Sequence, residues 1–311
     1  MKILNPQKWK KLGRLYQSQG ETSWRISHSS CPQVQHLHGN NYRVWFAARD
    51  DKNRSNCTWL EFDITKPNEV VRHAPEPSVV AGGLGEFDEN GAMFSWILEH
   101  ENKEYLYYTG WNIGDSVPFR NAIGLASRSG NDGNFQKKSG PVLDRSPENP
   151  FFVGNPCVVV DDFDVWHLWY LTGTAWHDNE AGLPFADYHI RHATSVDGMS
   201  WIVTEGVCID YTHNSEMAIA RPSVAYWERK FHMWYSHRGR DYPYRLGYAI
   251  SNDGANWERR DDVINLSRSS EGWDSEMICY PNVFKHGDEL YLIYCGNGFS
   301  QGGIGLAVLE R

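Results

Sequence analysis

The chain has 311 residues, a length open to one all-β domain or to two domains of roughly 150 residues each. Its 30 Lys and Arg against 39 Asp and Glu leave a formal charge of −9, which argues against a nucleic-acid or anionic-membrane partner. The uninterrupted apolar runs, such as Leu290 to Cys295, fall far short of the ~20 residues that span a bilayer.

The start, Met1 to Lys10, lacks the apolar core of roughly 7 to 15 residues that a secretory signal needs, so a cytoplasmic protein is expected. Six cysteines (Cys31, Cys57, Cys157, Cys208, Cys279, Cys295) form no C-x-x-C pair, so they read as reduced and buried. Aromatic residues make up 14% of the chain, enough to build a core from rings while much of the chain stays polar.

In chain order, five aromatic runs recur: Tyr42 to Phe46, Tyr105 to Tyr108, Trp166 to Tyr170, Phe231 to Tyr235 and Leu290 to Tyr294. Their last aromatics stand at 46, 108, 170, 235 and 294, at intervals of 62, 62, 65 and 59, so the repeat fills the chain. A second pattern follows in four units, starting at Ile123, Ile190, Leu246 and Ile304. In three of these it leads to an Asp-Gly turn and an aromatic, at Asp132-Gly133, Asp197-Gly198 and Asp253-Gly254. A third precedes the aromatic run by 13 or 14 residues: Cys31-Pro32, Pro156-Cys157, Arg221-Pro222 and Tyr280-Pro281, with Phe94 in that place in the second unit. Proline is tolerated at the first residue of a strand, so each unit is expected to open with a strand there.

Four strands repeated five times predict an all-β fold, a five-bladed β-propeller of four-stranded antiparallel blades forming a single domain over residues 1–311. The last unit stops soon after its third strand. Trp9 to Tyr16 therefore supplies the missing fourth strand and joins the two ends of the chain.

The Ser-x-Asp-Gly-x-x-Trp turns, Ser195 to Trp201 and Ser251 to Trp257, with the aromatic strands between them, resemble five-bladed glycoside hydrolases: the arabinanase and β-xylosidase, invertase and levansucrase, and mannoside phosphorylase groups. The resemblance implies a substrate pocket at one end of the central channel, with acidic residues from several innermost strands. Glycoside cleavage needs one carboxyl to protonate the leaving oxygen and another to serve as base or nucleophile.

Candidates come from the lead-ins to the first strands. Asp88 and Glu89 precede an apolar strand in the second unit, as a channel site or a solvated turn. Glu216, alone in apolar company, suits a general acid of raised proton affinity, with a structural ion pair to Arg221 as the plainer alternative. Asp274 and Glu276, two apart, would share a face of an extended segment, with Tyr280 beside them.

Arg49, Trp111 and Arg238 each stand three residues after an aligned aromatic. Arginine grips carboxylate or phosphate with two parallel bonds, so an acidic protein with arginines beside its channel suggests an anionic group on the substrate. Arg221 and Tyr280 join this positioning set, and His28 or His213 could bond sugar hydroxyls. No His-Glu-x-x-His spacing is present, and no metal or cofactor is expected, although a calcium ion in the channel is left open.

The arabinanase-like enzymes place an aspartate base at the start of the first blade, where this chain reads Ser30-Cys31-Pro32. Asp88, Glu89, Asp50 or Asp51 would then stand in as base. The expected function is a glycosidase-like enzyme on a glycan or activated sugar. A carbohydrate-binding propeller without catalysis, or a glycosyltransferase or phosphorylase of polysaccharide synthesis, is the alternative.

Overall fold

An aromatic side chain that lies across a neighbouring strand needs a bare backbone beneath it, and the repeated glycines provide one. In the computed structural model, which describes residues 6–130, 133–179 and 182–310, the Tyr108 ring covers Gly124 and the Tyr235 ring covers Gly247. A Cβ would lie 2.2 Å from Tyr108 at the first glycine and 2.4 Å from Tyr235 at the second. This contact explains why Gly-x-Ala follows the aromatic run in the repeat.

The strands form five sequential antiparallel groups. The first is Ser27–His38, Asn41–Arg49, Ser55–Asp63 and Val70–His73; the second is Gly91–His100, Lys103–Asn112, Arg120–Ser129 and Gln136–Lys137. The third is Val153–Val160, Trp166–His177, Phe185–Ser195 and Ile202–Val203; the fourth is Glu216–Trp227, Lys230–Gly239, Arg245–Ser251 and Glu258–Arg259. The fifth runs Cys279–His286, Glu289–Cys295 and Ile304–Leu309, and its fourth strand is Gln7–Tyr16 from the other end of the chain, with Trp9 opposite Leu309. The expected pairing of the two chain ends is therefore observed.

Serine and aspartate make the Asp-Gly turns. Ser195 Oγ accepts the amides of Asp197 and Gly198, while Asp197 Oδ1 accepts those of Met199 and Ser200. Ser251 and Asp253 repeat the pattern. Each glycine is left-handed, at φ 69° and 77°, and its carbonyl is taken by the preceding unit: Tyr107 Oη donates to Gly198 O and Trp169 Nε1 to Gly254 O. The turns thus fasten one unit to the next. The expected turn at Asn131-Asp132 and the start Met1 to Asn5 lie outside the described residues.

At the hub the first strand of every unit touches the first strand of the next, and the fifth touches the first. A hydrogen bond crosses each junction: Gln33 with Ile97, Asn155 N to Thr109 Oγ1, Val224 N to Cys157 Sγ, Asn282 Nδ2 to Ser223 Oγ, and Val34 N to Asn282 Oδ1.

All five first strands also slip register, which corrects the expected role of the prolines. Pro32, Pro156, Pro222 and Pro281 lie inside these strands, not at their first residues. A bulge there removes the need for an amide donor, and the residue ahead of each proline turns left-handed: Cys31 55°, Asn155 45°, Arg221 53° and Tyr280 56°.

All six cysteines are buried and unpaired. Among the described residues, no helix is long and apolar enough to cross a membrane.

Arg221 lies fully enclosed in this hub. Its Nη2 donates to Cys31 O at 3.2 Å and Pro32 O at 3.0 Å, and its guanidinium lies 5.4 Å from the Trp96 ring. Arg221→Ala leaves those carbonyls unsatisfied around a void. The expected loss is about 3 kcal/mol, seen as a lower urea midpoint at unchanged slope.

Candidate functional site

A carboxylate without water must be paired or protonated, and the three expected acids are paired. Asp88 is fully buried, and its Oδ2 accepts Tyr108 Oη at 2.9 Å and Lys137 Nζ at 2.6 Å. Asp274 repeats this with Tyr294 Oη at 2.9 Å and Lys11 Nζ at 2.6 Å. In the third unit Asn149 Oδ1 takes Tyr170 Oη at 3.2 Å. These acceptors stand 20, 20 and 21 residues ahead of their tyrosines, so Asp88 and Asp274 belong to the scaffold repeat. This corrects their assignment as channel carboxylates: each is bound within its own unit.

Glu216 also departs from expectation. Arg259 grips it with two bonds of 2.9 Å, His237 Nδ1 lies 2.9 Å from Oε1, and the Thr212 amide donates at 2.8 Å. Burial pushes its proton affinity up, but His237, Arg259 and Thr212 together outweigh burial and hold the carboxyl well below the usual range. An acid that keeps its proton was expected; the structure holds a carboxylate, and its ion-pair partner is Arg259, not Arg221. Arg259 was missed in the sequence. It is the second residue of its fourth strand, as Lys137 is of the second unit's, and that shared place is the signal.

Of the remaining acids two are committed and two are exposed. Glu89 Oε2 accepts the Gly85 amide and so closes the lead-in turn. Asp50, one stand-in base, accepts the amides of Lys52 and Arg54 and the Arg54 guanidinium, and Asp51 is exposed. Glu276 is exposed while Asp274 is buried, because residues 271–278 form a looped segment instead of an extended one, so the two do not share a face. Among the described residues no three His, Cys, Asp or Glu side chains gather to hold a metal.

The structure does bring together residues where the second strands end. Arg238 is half-buried, with its guanidinium 5.1 Å from the Tyr244 ring and 5.7 Å from Phe299. Its Nε is buried without a hydrogen bond. Tyr244 joins Tyr188 through their hydroxyls at 2.5 Å and packs 6.0 Å from the half-buried Tyr280. Arg49 ends its strand beside Ser27, across from His28, and donates to Asn53 Oδ1 at 2.8 Å.

Phe299 is exposed on a turn in which Gly298, Phe299 and Ser300 are all left-handed, at 62°, 52° and 87°. The buried Ser300 hydroxyl bonds that of Ser30, and Gln301 Nε2 lies 3.4 Å from His28 Nε2, so this turn closes over the first unit. Four units thus contribute to one mouth of arginine and aromatic side chains. Among the described residues neither Arg49 nor Arg238 has a carboxylate within ion-pair distance.

Of the expected positioning residues, Arg49, Arg238 and Tyr280 meet here. Arg221 does not, because its enclosure in the hub keeps it from any ligand. Trp111 packs on Gly91 and donates to Ser55 Oγ at 3.3 Å. Tyr188, Tyr244 and Phe299 were not anticipated. The glycine-rich run Gly296 to Gly303 was the available signal for Phe299, and no repeat marks the two tyrosines.

No family model matches the chain. The Mycobacterium tuberculosis "Uncharacterized protein MT1551" is 32% identical over 303 residues, covering 97% of this chain and 99% of that protein. A solved "Glycoside hydrolase" superposes with TM-score 0.77 at 17% identity, over 99% of this chain and 93% of that one. A "thermostable family-43 glycoside hydrolase" does so with TM-score 0.65 at 19% identity, over 95% and 92%. The fold is that of the glycoside-hydrolase propeller superfamily.

Two predictions follow from the geometry. Asp88→Asn and Asp274→Asn each take the counter-charge from a part-buried lysine and a buried tyrosine, so each lowers stability by about 2 kcal/mol in urea unfolding. His28 is depressed from 6.5 to about 4, by burial first and Arg49 second. The stability of its neutral form is complete above pH 6.5 and is lost as pH falls toward 4. His28→Gln therefore flattens part of the fall in urea midpoint across that interval. His192, lowered to about 3 by its own burial and by His167, retains the rest.

Proposed function

The chain belongs to the family of the Mycobacterium tuberculosis protein MT1551, and from that membership and its glycosidase-type scaffold we propose that it is a carbohydrate-recognising five-bladed β-propeller, one domain over residues 1–311. The sugar enters the mouth framed by Arg49, Arg238, Tyr280 and Phe299. Rings that present a face to solvent stack on the apolar face of a pyranose, and guanidinium groups bond its oxygens. The first strand of each of the five antiparallel groups lines the hub, which supports five blades.

The observation that carries the reading is the contrast between the acids and the mouth. Asp88, Glu216 and Asp274 are each spent on cations and tyrosines of their own units, and the first unit carries Ser29 and Ser30 where an aspartate base would stand. A carboxylate already held by an arginine and a histidine is a poor proton donor to a leaving oxygen. The hub-end arginines and rings carry no such commitment. Recognition without cleavage by these acids is accordingly favoured over hydrolysis.

The test is a panel of oligosaccharides, measured for binding by calorimetry and for reducing-end release. The expected result is binding without release, weakened about tenfold, or roughly 1.4 kcal/mol, by Phe299→Ala. That residue is exposed, so the fold survives its truncation. Release of sugar that Glu216→Gln abolishes would overturn this reading and restore a glycosidase.

A further inference from the structure

Among the described residues, the two arginines of the mouth have no carboxylate within ion-pair distance. Arg238 emerges from the second strand of the fourth unit, and Arg49 ends the second strand of the first unit. Glu216 is taken by Arg259 and His237, and Asp50 by Arg54, while Asp51 and Asp241, close to the two arginines in the chain, are exposed and make no ion pair with either. Arg240, two residues beyond Arg238, is satisfied by Asp187 at 3.0 Å. Arg49 meets only the neutral Asn53. Arg238 lies against Tyr244 and Phe299, with its Nε buried and empty of any acceptor.

A half-buried guanidinium is desolvated without the return that a carboxylate would supply, and a buried donor left unmade is costly. Contact with the Tyr244 and Phe299 rings and a hydrogen bond with Tyr188 offset part of that loss, and the buried Nε still lacks an acceptor. A guanidinium fork matches the paired oxygens of a carboxylate or phosphate.

We propose that the mouth selects sugars bearing an oxyanion, a carboxylate or a phosphate, with Arg238 as the principal clamp, Arg49 as the second cation and Phe299 against the ring. The −9 charge of the whole chain repels a polyanion at long range, so the ligand carries its negative charge as a single group on a sugar unit. This inference rests on the carbohydrate reading above and adds the chemical class of the ligand.

The experiment uses the full chain and three matched trios: glucose, glucuronate and glucose 6-phosphate, with the corresponding galactose and mannose sets. Affinities are measured by calorimetry at low and high salt. In at least one trio an acidic member is expected to bind tenfold or more tightly than its neutral counterpart, with the advantage shrinking as salt rises. Arg238→Gln should abolish that advantage, weakening the acidic member far more than the neutral sugar, while Arg238→Lys should keep part of it. Which acidic member wins separates a uronic acid from a phosphorylated sugar.

Arg49→Gln gives a second, milder test should Arg238→Gln fail to fold. Neutral sugars that bind as tightly as the acidic ones, or an acidic preference untouched by both substitutions, would sink this inference and leave the carbohydrate reading standing. If no member of any trio binds, both fall together.

Discussion

The ring closes because residues 9–16 pair with residues 304–309, and the rest of the architecture presupposes that closure. Without it, the fifth unit would present the open edge of Ile304–Leu309, and the last unit would be held to the first only by side-chain and hub contacts such as Val34 with Asn282, Ser30 with Ser300 and Tyr42 with His286. The pairing also brings Lys11 to Asp274, so the strand that shuts the ring supplies the cation for a buried carboxylate. Closure and charge balance are one event there. A chain open at this seam would leave Asp274 desolvated and unpaired, which makes opening unfavourable beyond the lost ladder.

The same economy recurs in other units. A tyrosine from the second strand lies on a bare glycine of the third, its hydroxyl reaches a carboxylate of the lead-in or of the turn after the fourth strand, and a cation from the fourth strand completes the set. Tyr108, Asp88 and Lys137 do this in the second unit, and Tyr235, Asp261 and Arg259 in the fourth. One polar cluster thereby ties the second, third and fourth strands of a unit to an adjoining loop. Glu216 is drawn into the fourth unit's cluster, and this is why an acid in apolar company stays ionised.

The architecture was legible because its signals are local and repeated. The intervals between Phe46, Tyr108, Tyr170, Tyr235 and Tyr294, together with Ser-x-Asp-Gly turns whose hydrogen bonds span three residues, need no knowledge of distant contacts. The acids were misread because partnership is not local. Arg259 lies 43 residues from Glu216, and Lys11 lies 263 from Asp274, so sequence neighbours say nothing of whether a carboxylate is free. Arg49 and Arg238 were found by their place in the repeat, whereas Tyr188 and Tyr244 enter the mouth by tertiary packing alone.

A fivefold scaffold yields a site only where the repeat is broken, and the hub shows where this happens. The residue ahead of the proline is left-handed in four units, a conformation that non-glycine residues hold at a cost of order 1–3 kcal/mol each. Its side chain differs every time: Cys31, Asn155, Arg221 and Tyr280. Backbone geometry is repeated and chemistry is not. Arg221 uses its position to lock the hub from within, and Tyr280 uses the same position to face the mouth beside Tyr244. A run of three left-handed residues, Gly298 to Ser300, has no counterpart among the described residues of the other units and places Phe299 in the open against Arg238. Strain and departure from symmetry thus converge on one end of the ring, the end where two guanidiniums lack a counter-charge.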